Sequence, residues 1–201
     1  SCPTRRSSDL AHCLDGRFPK QLVPRMGELG VLGANLPTEH GCAGLGNVAY
    51  GLIMQELERG DSAVRSFASV QGALVMYPIH AFGSEAQKKE WLPRLARGEA
   101  VGCFGLTEPD FGSNPAGMIT RAERIASGWK LNGTKMWITN GSIADVAVVW
   151  AKTGALDDAK SIRGFVVPTR TPGFSARDQK GKLSLRASDT SEIHLEDVVL
   201  P

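Results

Sequence analysis

The sequence is poor in the residues that build metal centres and disulfide frameworks, with only four cysteines and four histidines in 201 residues. Neither type follows the CxxC or HxxxH spacing that is typical of zinc sites and redox motifs. We therefore expect no metal site, and we expect the cysteines to be free thiols in a reducing compartment. The cysteines are Cys2, Cys13, Cys42 and Cys103, and the histidines are His12, His40, His80 and His194.

Long apolar runs and a surplus of one charge are also absent. No stretch approaches the roughly 18 to 20 apolar residues that a membrane span requires, and the 23 basic and 21 acidic residues are interleaved along the chain. This balance gives no sign of a nucleic-acid-binding surface. Residues 1–10, SCPTRRSSDL, lack the apolar core of a targeting signal. We treat them as a foreign or disordered extension.

The chain changes from helical to β-type periodicity near residue 99. Before that point apolar residues recur at helical spacing and glycines mark helix ends. After it come β-branched runs such as ADVAVVWAKT and TSEIHLEDVVL, separated by turn residues. Helices followed by strands favour an α+β fold over a doubly wound one. We predict an all-α helical domain over 16–99 and an antiparallel, barrel-like or sandwich-like β domain over 100–201, with 1–15 unassigned.

The segment FGLTEPDFGS, residues 104–113, has the pattern of a strand that ends in a loop. An apolar run predicts a strand that stops at Thr107, and Pro109 disfavours a helical conformation at Glu108. A loop between Thr107 and Ser113 presents backbone N–H groups that an oxygen-rich, partly anionic ligand would satisfy. The alternative is a plain strand-ending loop without a ligand.

The segment LNGTKMWITNG, residues 131–141, predicts a β-hairpin whose two-residue turn is Asn132-Gly133. A planar ligand that stacks on Trp137, with Thr139 at its edge, would explain an indole on a face that should be wet. The alternative is a second sheet that covers Trp137. The expected pairing puts Trp129, Leu131, Met136 and Ile138 on the core face, and Lys135, Trp137 and Thr139 on the opposite face.

Together these two segments resemble the flavin-binding middle domain of the acyl-CoA dehydrogenases. The resemblance runs from about Gly16 to Pro201 and takes in HGCAGLG and YPIHAFGSEAQKKEWLPRLARGE. Within that superfamily the chain is most similar to the glutaryl-CoA dehydrogenases, through QELERGDSAVRS at 55–66, GCFGLTEP and KLSLRAS at 182–188. Since a C-terminal helical bundle follows in the family, we expect this chain to be the N-terminal half of a longer enzyme and to be inactive alone.

The resemblance implies that the protein binds FAD. Phe104, Leu106 and Thr107 would line the pyrimidine ring of the flavin, and Gly112 and Ser113 the pyrophosphate side. Trp137, Ile138 and Thr139 would lie against the isoalloxazine ring and its reactive N5 edge. The family's catalytic base is a glutamate of the C-terminal bundle, so no catalytic residue is assigned here, and Glu108 is not cast in that role.

Arg65 occupies a position where a cation is not expected. Gly60 ends one helix and Asp61 or Ser62 caps the next, so Arg65 and Ser66 fall in a first turn, where the helix dipole disfavours positive charge. A solvated arginine would tolerate this, but Arg65, Ser66 and the helix N-terminus could also hold a carboxylate together.

The resemblance gives the Arg65 motif a specific role. It implies that Arg65 and Ser66 grip the distal carboxylate of a dicarboxylyl-CoA, that Glu58 orients Arg65, and that Ser113 also contacts the substrate. The implied reaction is α,β-dehydrogenation of glutaryl-CoA followed by loss of CO₂ to give crotonyl-CoA.

The family also implies a homotetramer that passes electrons to electron-transferring flavoprotein, as a soluble enzyme in the bacterial cytoplasm or the mitochondrial matrix. The alternatives are a short-chain acyl-CoA dehydrogenase, an oxidase of the same fold, and a non-catalytic module that binds flavin or acyl-CoA.

Overall fold

The computed structural model describes residues 11–201, which fall into two compact units. The first unit combines the chain up to Val101 with the segment Gln179–Asp189, and the second comprises Gly102–Asp178 and Thr190–Pro201. The first is helical and the second is built on a β-sheet, so the predicted α+β class is confirmed. No helix in the described range is long and apolar enough to cross a bilayer.

In the described part of the helical unit, residues 11–15 are helical. Five α-helices are labelled in the part that follows: α1 Leu22–Glu28, α2 Asn47–Gly60, α3 Ser62–Ser69, α4 Tyr77–Phe82 and α5 Glu85–Ala96. A π-helix, Val70–Met76, joins α3 to α4, and Thr38–His40 forms a 3₁₀ turn.

The core of the helical unit is aromatic and aliphatic. Phe67 of α3 is fully buried and stacks on Phe18 with 4.8 Å between the ring centroids. Leu92 of α5 is buried as well. The buried Gln71 donates from Nε2 to the carbonyls of Leu95 at 3.0 Å and Ala100 at 2.8 Å. These bonds tie the π-helix to the end of α5.

The second unit is a seven-stranded sheet in the order β1-β4-β2-β3-β7-β6, with β5 paired to β4. The strands are β1 Gly102–Gly105, β2 Arg121–Ile125, β3 Gly128–Thr139, β4 Val146–Lys152, β5 Ile162–Pro168, β6 Phe174–Asp178 and β7 Thr190–Leu200. Most pairs are antiparallel, as predicted, but β1–β4 and the single bridge between β2 and β4 are parallel. β1 ends at Gly105, short of the predicted Thr107.

The predicted hairpin turn at Asn132-Gly133 is wrong. Both residues lie inside the continuous strand β3, and the β2–β3 hairpin turns at 126–127, after the pair Ile125 and Gly128. Gly133 has φ 153°, and a Cβ there would lie 2.4 Å from Thr120 Oγ1. Glycine is therefore needed here because Thr120 approaches the backbone closely where β3 shifts register against β7, and not because the chain turns.

A second register shift lies between Lys135 and Ile138 of β3. It changes the alternation of side chains, so the predicted face of Lys135 is also wrong: its side chain is fully buried, whereas Trp137 is 62% exposed. Trp129 does face the core, where it meets Phe165 edge-on at 5.6 Å. An irregularity that inserts an unpaired residue is invisible to a simple period of two.

Candidate functional site

The end of β1 runs beside the middle of β3 and brings two predicted site segments together. The backbone N–H of Met136 donates to the carbonyl of Thr107 at 2.8 Å. Trp137, the next residue, is exposed and has the left-handed φ of 61°. We call the predicted site residues around this contact, Leu106, Thr107, Trp137 and Thr139, the Trp137 platform.

The backbone conformation of Trp137 carries information about function. A left-handed φ in a bulky residue is an outlier that costs on the order of 1–3 kcal/mol, and such strain clusters at ligand-binding sites. Trp137 lies within the register shift, and its side chain stays largely exposed. Burial of the indole therefore does not offset the cost of the strained backbone. A flat exposed ring presented this way is suited to stacking on a planar ligand.

Glu108, which follows Thr107, forms a buried ion pair with Lys135. Lys135 Nζ lies 2.8 Å from Glu108 Oε1, and the two side chains are 0% and 1% exposed. Glu108 Oε2 accepts from the Ile119 N–H at 2.7 Å, and Oε1 also accepts from the Thr120 N–H at 3.0 Å. The sequence-based hypothesis missed this role of Lys135; its one signal was a lysine within the apolar β-run.

These contacts keep the Glu108 carboxylate ionised and supply hydrogen-bond donors to both of its oxygens. Burial raises the pKa of its carboxyl, but the hydrogen bonds from Ile119, Lys135 and Thr120 outweigh burial, so its pKa lies below the usual value. Both carboxylate oxygens already accept hydrogen bonds. Glu108 is therefore unsuited to removing a proton from a substrate.

The loop that follows Glu108 is open to ligands. Gly112 and Ser113 are exposed, and a Cβ at Gly112 would meet no atom within 4 Å. Phe104 is half-buried and packs edge-on against Trp150, with 6.0 Å between the ring centroids. The Ile138 side chain lies in the hydrophobic core, so only its backbone could contact a ligand.

The second group of predicted site residues lies in the helical unit, at the start of α3. Asp61 caps this helix, as predicted, and its Oδ1 accepts from the N–H of Ala63 at 2.6 Å and of Val64 at 3.4 Å. Arg65 Nε donates to Glu58 Oε2 at 2.5 Å. The side chains of Arg65 and Glu58 are 34% and 45% exposed, so a charged ligand can reach the pair.

Glu58 is held as a carboxylate. A hydrogen bond from the Ser62 hydroxyl, followed by the one from Arg65, lowers the pKa of Glu58 below its usual value. The Glu58 contact occupies the Nε edge of Arg65. Since a guanidinium carries five N–H donors, its Nη groups can bind a second carboxylate while Glu58 remains in place.

Among residues 11–201, no three His, Cys, Asp or Glu side chains gather as metal ligands. Cys13, Cys42 and Cys103 are free thiols, in agreement with the sequence-based expectation for these three. Cys2 lies outside the described residues, as does the extension 1–10.

The Trp137 platform fits the flavin that the resemblance implies. It combines an exposed indole in a strained conformation with the half-buried Thr107 and Thr139, and the neighbouring loop has free space at Gly112. Aromatic rings, hydroxyls and accessible backbone are the groups that hold a planar, phosphate-bearing cofactor.

Comparison with known proteins identifies the family. Residues 7–99 match the N-terminal domain of acyl-CoA dehydrogenases, and residues 103–198 match the middle domain. The chain belongs to the acyl-CoA dehydrogenase family. It is 40% identical over 184 residues to the mitochondrial short-chain specific acyl-CoA dehydrogenase of Rattus norvegicus, covering 92% of this chain and 45% of that protein.

Solved structures give the same family. A glutaryl-CoA dehydrogenase from Mycobacterium smegmatis in complex with FADH2 is 60% identical, with a TM-score of 0.91, over 95% of this chain and 48% of that one. A glutaryl-CoA dehydrogenase in complex with glutaryl-CoA is 37% identical, with a TM-score of 0.89, over 93% and 48%. The chain spans about half the length of the relatives it matches.

Proposed function

We propose that this protein is an FAD-dependent acyl-CoA dehydrogenase that acts on glutaryl-CoA and converts it to crotonyl-CoA and CO₂. The observation that carries the choice of substrate is Arg65, an accessible guanidinium at the start of α3 whose Nε is held by Glu58. A glutaryl thioester has a distal carboxylate, whereas a simple fatty acyl chain has none. The 60% identity to a glutaryl-CoA dehydrogenase supports the same choice.

In this proposal Arg65 and Ser66 bind the distal carboxylate through the guanidinium fork and the Ser66 hydroxyl. The first turn of α3 does not contribute, because its N–H groups at Ala63 and Val64 already donate to Asp61. A charge-assisted bidentate contact gives both affinity and orientation. Glu58 holds the guanidinium in position and reduces its net attraction for the leaving carboxylate, so that CO₂ can depart. Ser113 is assigned as a further substrate contact.

The cofactor side of the proposal rests on the Trp137 platform. FAD, when bound, accepts the hydride from the substrate β-carbon. Trp137 and Thr139 would hold the flavin ring and its N5 edge, with the backbone of Ile138 between them. Phe104, Leu106 and Thr107 would line the pyrimidine side, and Gly112 and Ser113 the pyrophosphate side.

We assign no catalytic base within this chain and place it in the part of the relatives that the chain does not cover. Residues 1–201 alone should therefore bind ligands without turning them over. Functionally, 16–99 would hold the acyl chain and 100–201 the flavin and acyl-CoA. The assembled enzyme would be a homotetramer that reduces electron-transferring flavoprotein, in the bacterial cytoplasm or the mitochondrial matrix.

A second candidate is a short-chain acyl-CoA dehydrogenase, favoured by 40% identity to such enzymes. A direct assay of the full-length protein with FAD, glutaryl-CoA, butyryl-CoA and an artificial electron acceptor separates the two. Our proposal requires that glutaryl-CoA is turned over faster than butyryl-CoA, and that one CO₂ is released for each glutaryl-CoA consumed. Preference for butyryl-CoA would transfer the assignment to the second candidate.

Two further alternatives have their own readouts in the same assay. An oxidase of the same fold would consume oxygen without the artificial acceptor. A non-catalytic module would bind FAD or acyl-CoA and turn over neither thioester.

A further inference from the structure

The ion pair between Lys135 and Glu108 is almost completely buried in the β unit. Its two side chains are 0% and 1% exposed, and its atoms lie 2.8 Å apart. Taking two charges out of water costs about as much as their attraction returns, so a buried pair is weak as a source of stability. Its value must then be sought in the geometry that it imposes.

The pair joins three separate parts of the β unit. Lys135 Nζ donates to the carbonyl of Leu106 at 3.1 Å as well as to Glu108, which links β3 to the end of β1. Glu108 accepts from the N–H groups of Ile119 and Thr120. Because Glu108 opens the loop 109–118 and the other two residues follow it, one carboxylate closes the loop at both ends.

The pair also marks the point where β3 becomes irregular. Lys135 is paired in register with Ile193 of β7, and regular pairing resumes only at Ile138. Trp137, with its left-handed φ, lies within this gap. The stem of Lys135 packs tightly on β1, since a Cβ at Gly105 would lie 3.3 Å from Lys135 Cγ. Because Lys135 is fixed in this way, it also fixes the point on β3 at which the irregular segment containing Trp137 starts.

We propose that Glu108 and Lys135 are positioning residues for the FAD site: together they hold Thr107 and the loop 109–118 at a fixed distance from Trp137. Neither side chain is exposed to touch the cofactor, so both act through the Trp137 platform. This inference rests on the proposed function, because it assumes that the platform binds FAD.

The test uses the full-length protein and the variants Glu108→Gln, Lys135→Met and the double variant. Two quantities are measured: the melting temperature of the apoprotein, and the Kd for FAD from quenching of flavin fluorescence. Each single variant leaves one partner unpaired, so we expect a lower melting temperature and weaker FAD binding. The double variant removes both charges, so its melting temperature should recover to near the wild-type value.

FAD affinity is the discriminating readout. If the pair positions the site, the double variant binds FAD at least tenfold more weakly than the wild type despite its recovered stability. If affinity recovers together with the melting temperature, the pair is only structural and the inference is overturned. If the wild-type protein does not bind FAD at all, the proposed function fails first and the inference falls with it.

Lys152→Met is the matched control. Lys152 is 2% exposed, lies in β4 of the same sheet, and its Nζ donates to the carbonyl of Leu156, which is not among the predicted cofactor residues. Its removal should lower the melting temperature and leave FAD affinity unchanged. If the double variant does not fold, Glu108→Gln decides alone, since the amide keeps an acceptor oxygen. A folded Glu108→Gln protein with wild-type FAD affinity would overturn the inference.

Discussion

Arg65 and Glu58, seven residues apart in the sequence, meet where α2 gives way to α3, with Arg65 Nε 2.5 Å from Glu58 Oε2. The guanidinium thus already has one carboxylate partner. Under the proposed function, the substrate carboxylate shares Arg65 with Glu58 rather than filling an empty cationic pocket.

Replacement of Arg65 by alanine should therefore discriminate between substrates. Losing one partner of a desolvated charge pair costs about 2–5 kcal/mol, so kcat/KM for glutaryl-CoA should fall at least about thirtyfold. Butyryl-CoA has no distal charge, and its kcat/KM should change only a few-fold. Steady-state kinetics of the full-length enzyme with both thioesters measures the difference.

Two companion variants sharpen the result. Arg65→Lys should restore part of the loss, because an ammonium keeps the charge without the planar fork. Glu58→Gln should lower the KM for glutaryl-CoA, since it removes a competitor for Arg65. An equal loss for both thioesters in Arg65→Ala would make the arginine structural, and the glutaryl proposal would give way to a general acyl-CoA dehydrogenase.

The two tryptophans of β3 should respond differently to substitution. Trp137→Gly removes an exposed ring and relieves a left-handed φ of 61°, so the melting temperature should hold or rise while FAD affinity falls. Trp129→Ala deletes a ring packed on Phe165 and should cost about 2–4 kcal/mol of unfolding free energy.

Chemical denaturation and FAD titration of both variants provide the measurements. If Trp129→Ala damages FAD binding more than Trp137→Gly at equal folded fraction, the platform is on the wrong face of β3.

Gly133 and Gly51 form a second matched pair. Gly133→Ala forces a Cβ to within 2.4 Å of Thr120 Oγ1 and should destabilise the protein by at least about 2 kcal/mol. Gly51→Ala places a Cβ in open space within α2, where alanine is favoured over glycine by about 0.5–1 kcal/mol. Opposite shifts in melting temperature are expected, and equal shifts would contradict the close approach at Gly133.

The described cysteines should differ in reactivity. Burial raises the pKa of the Cys42 thiol to about 11, and Cys103 is fully buried, whereas Cys13 is partly exposed. A disulfide reagent at about pH 8 should label Cys13 first, because thiolate and access are both required. Peptide mapping after brief labelling identifies the site; prompt labelling of Cys42 in folded protein would refute its burial.

Acid should weaken the fold partly through Glu108. Its pKa is lower in the folded state than in the unfolded chain, so its stabilising contribution is complete above the usual carboxyl pKa and is lost as pH falls below it. Unfolding free energy measured between about pH 6 and 3 should fall more steeply for the wild type than for the Glu108→Gln/Lys135→Met double variant. Parallel curves would show that Glu108 does not contribute.

Local sequence signals predicted the fold class and several site features. Periodicity separated the helices from the strands. The sequence also predicted Asp61 as a helix cap and Trp137 as an indole on the solvent-exposed face of the sheet. Each of these depends on neighbours within a turn or a strand.

The predictions that failed depend on distant neighbours. Asn132-Gly133 is a strong hairpin signal on its own, but pairing with β2 and the close approach of Thr120 keep it in a strand. Lys135 is buried because Glu108 supplies its counter-charge. Neither partner can be inferred from local periodicity, since register and buried pairing are set by tertiary contacts.

The segment Gln179–Asp189 connects β6 to β7 and yet belongs to the helical unit. Arg186 in this segment donates to the carbonyls of Cys13 at 3.2 Å and Leu14 at 3.0 Å. Chains fold as they leave the ribosome, N-terminal parts first. The helical unit therefore cannot be completed until six of the seven strands have been translated. A premature stop anywhere between residues 102 and 178 removes part of both units.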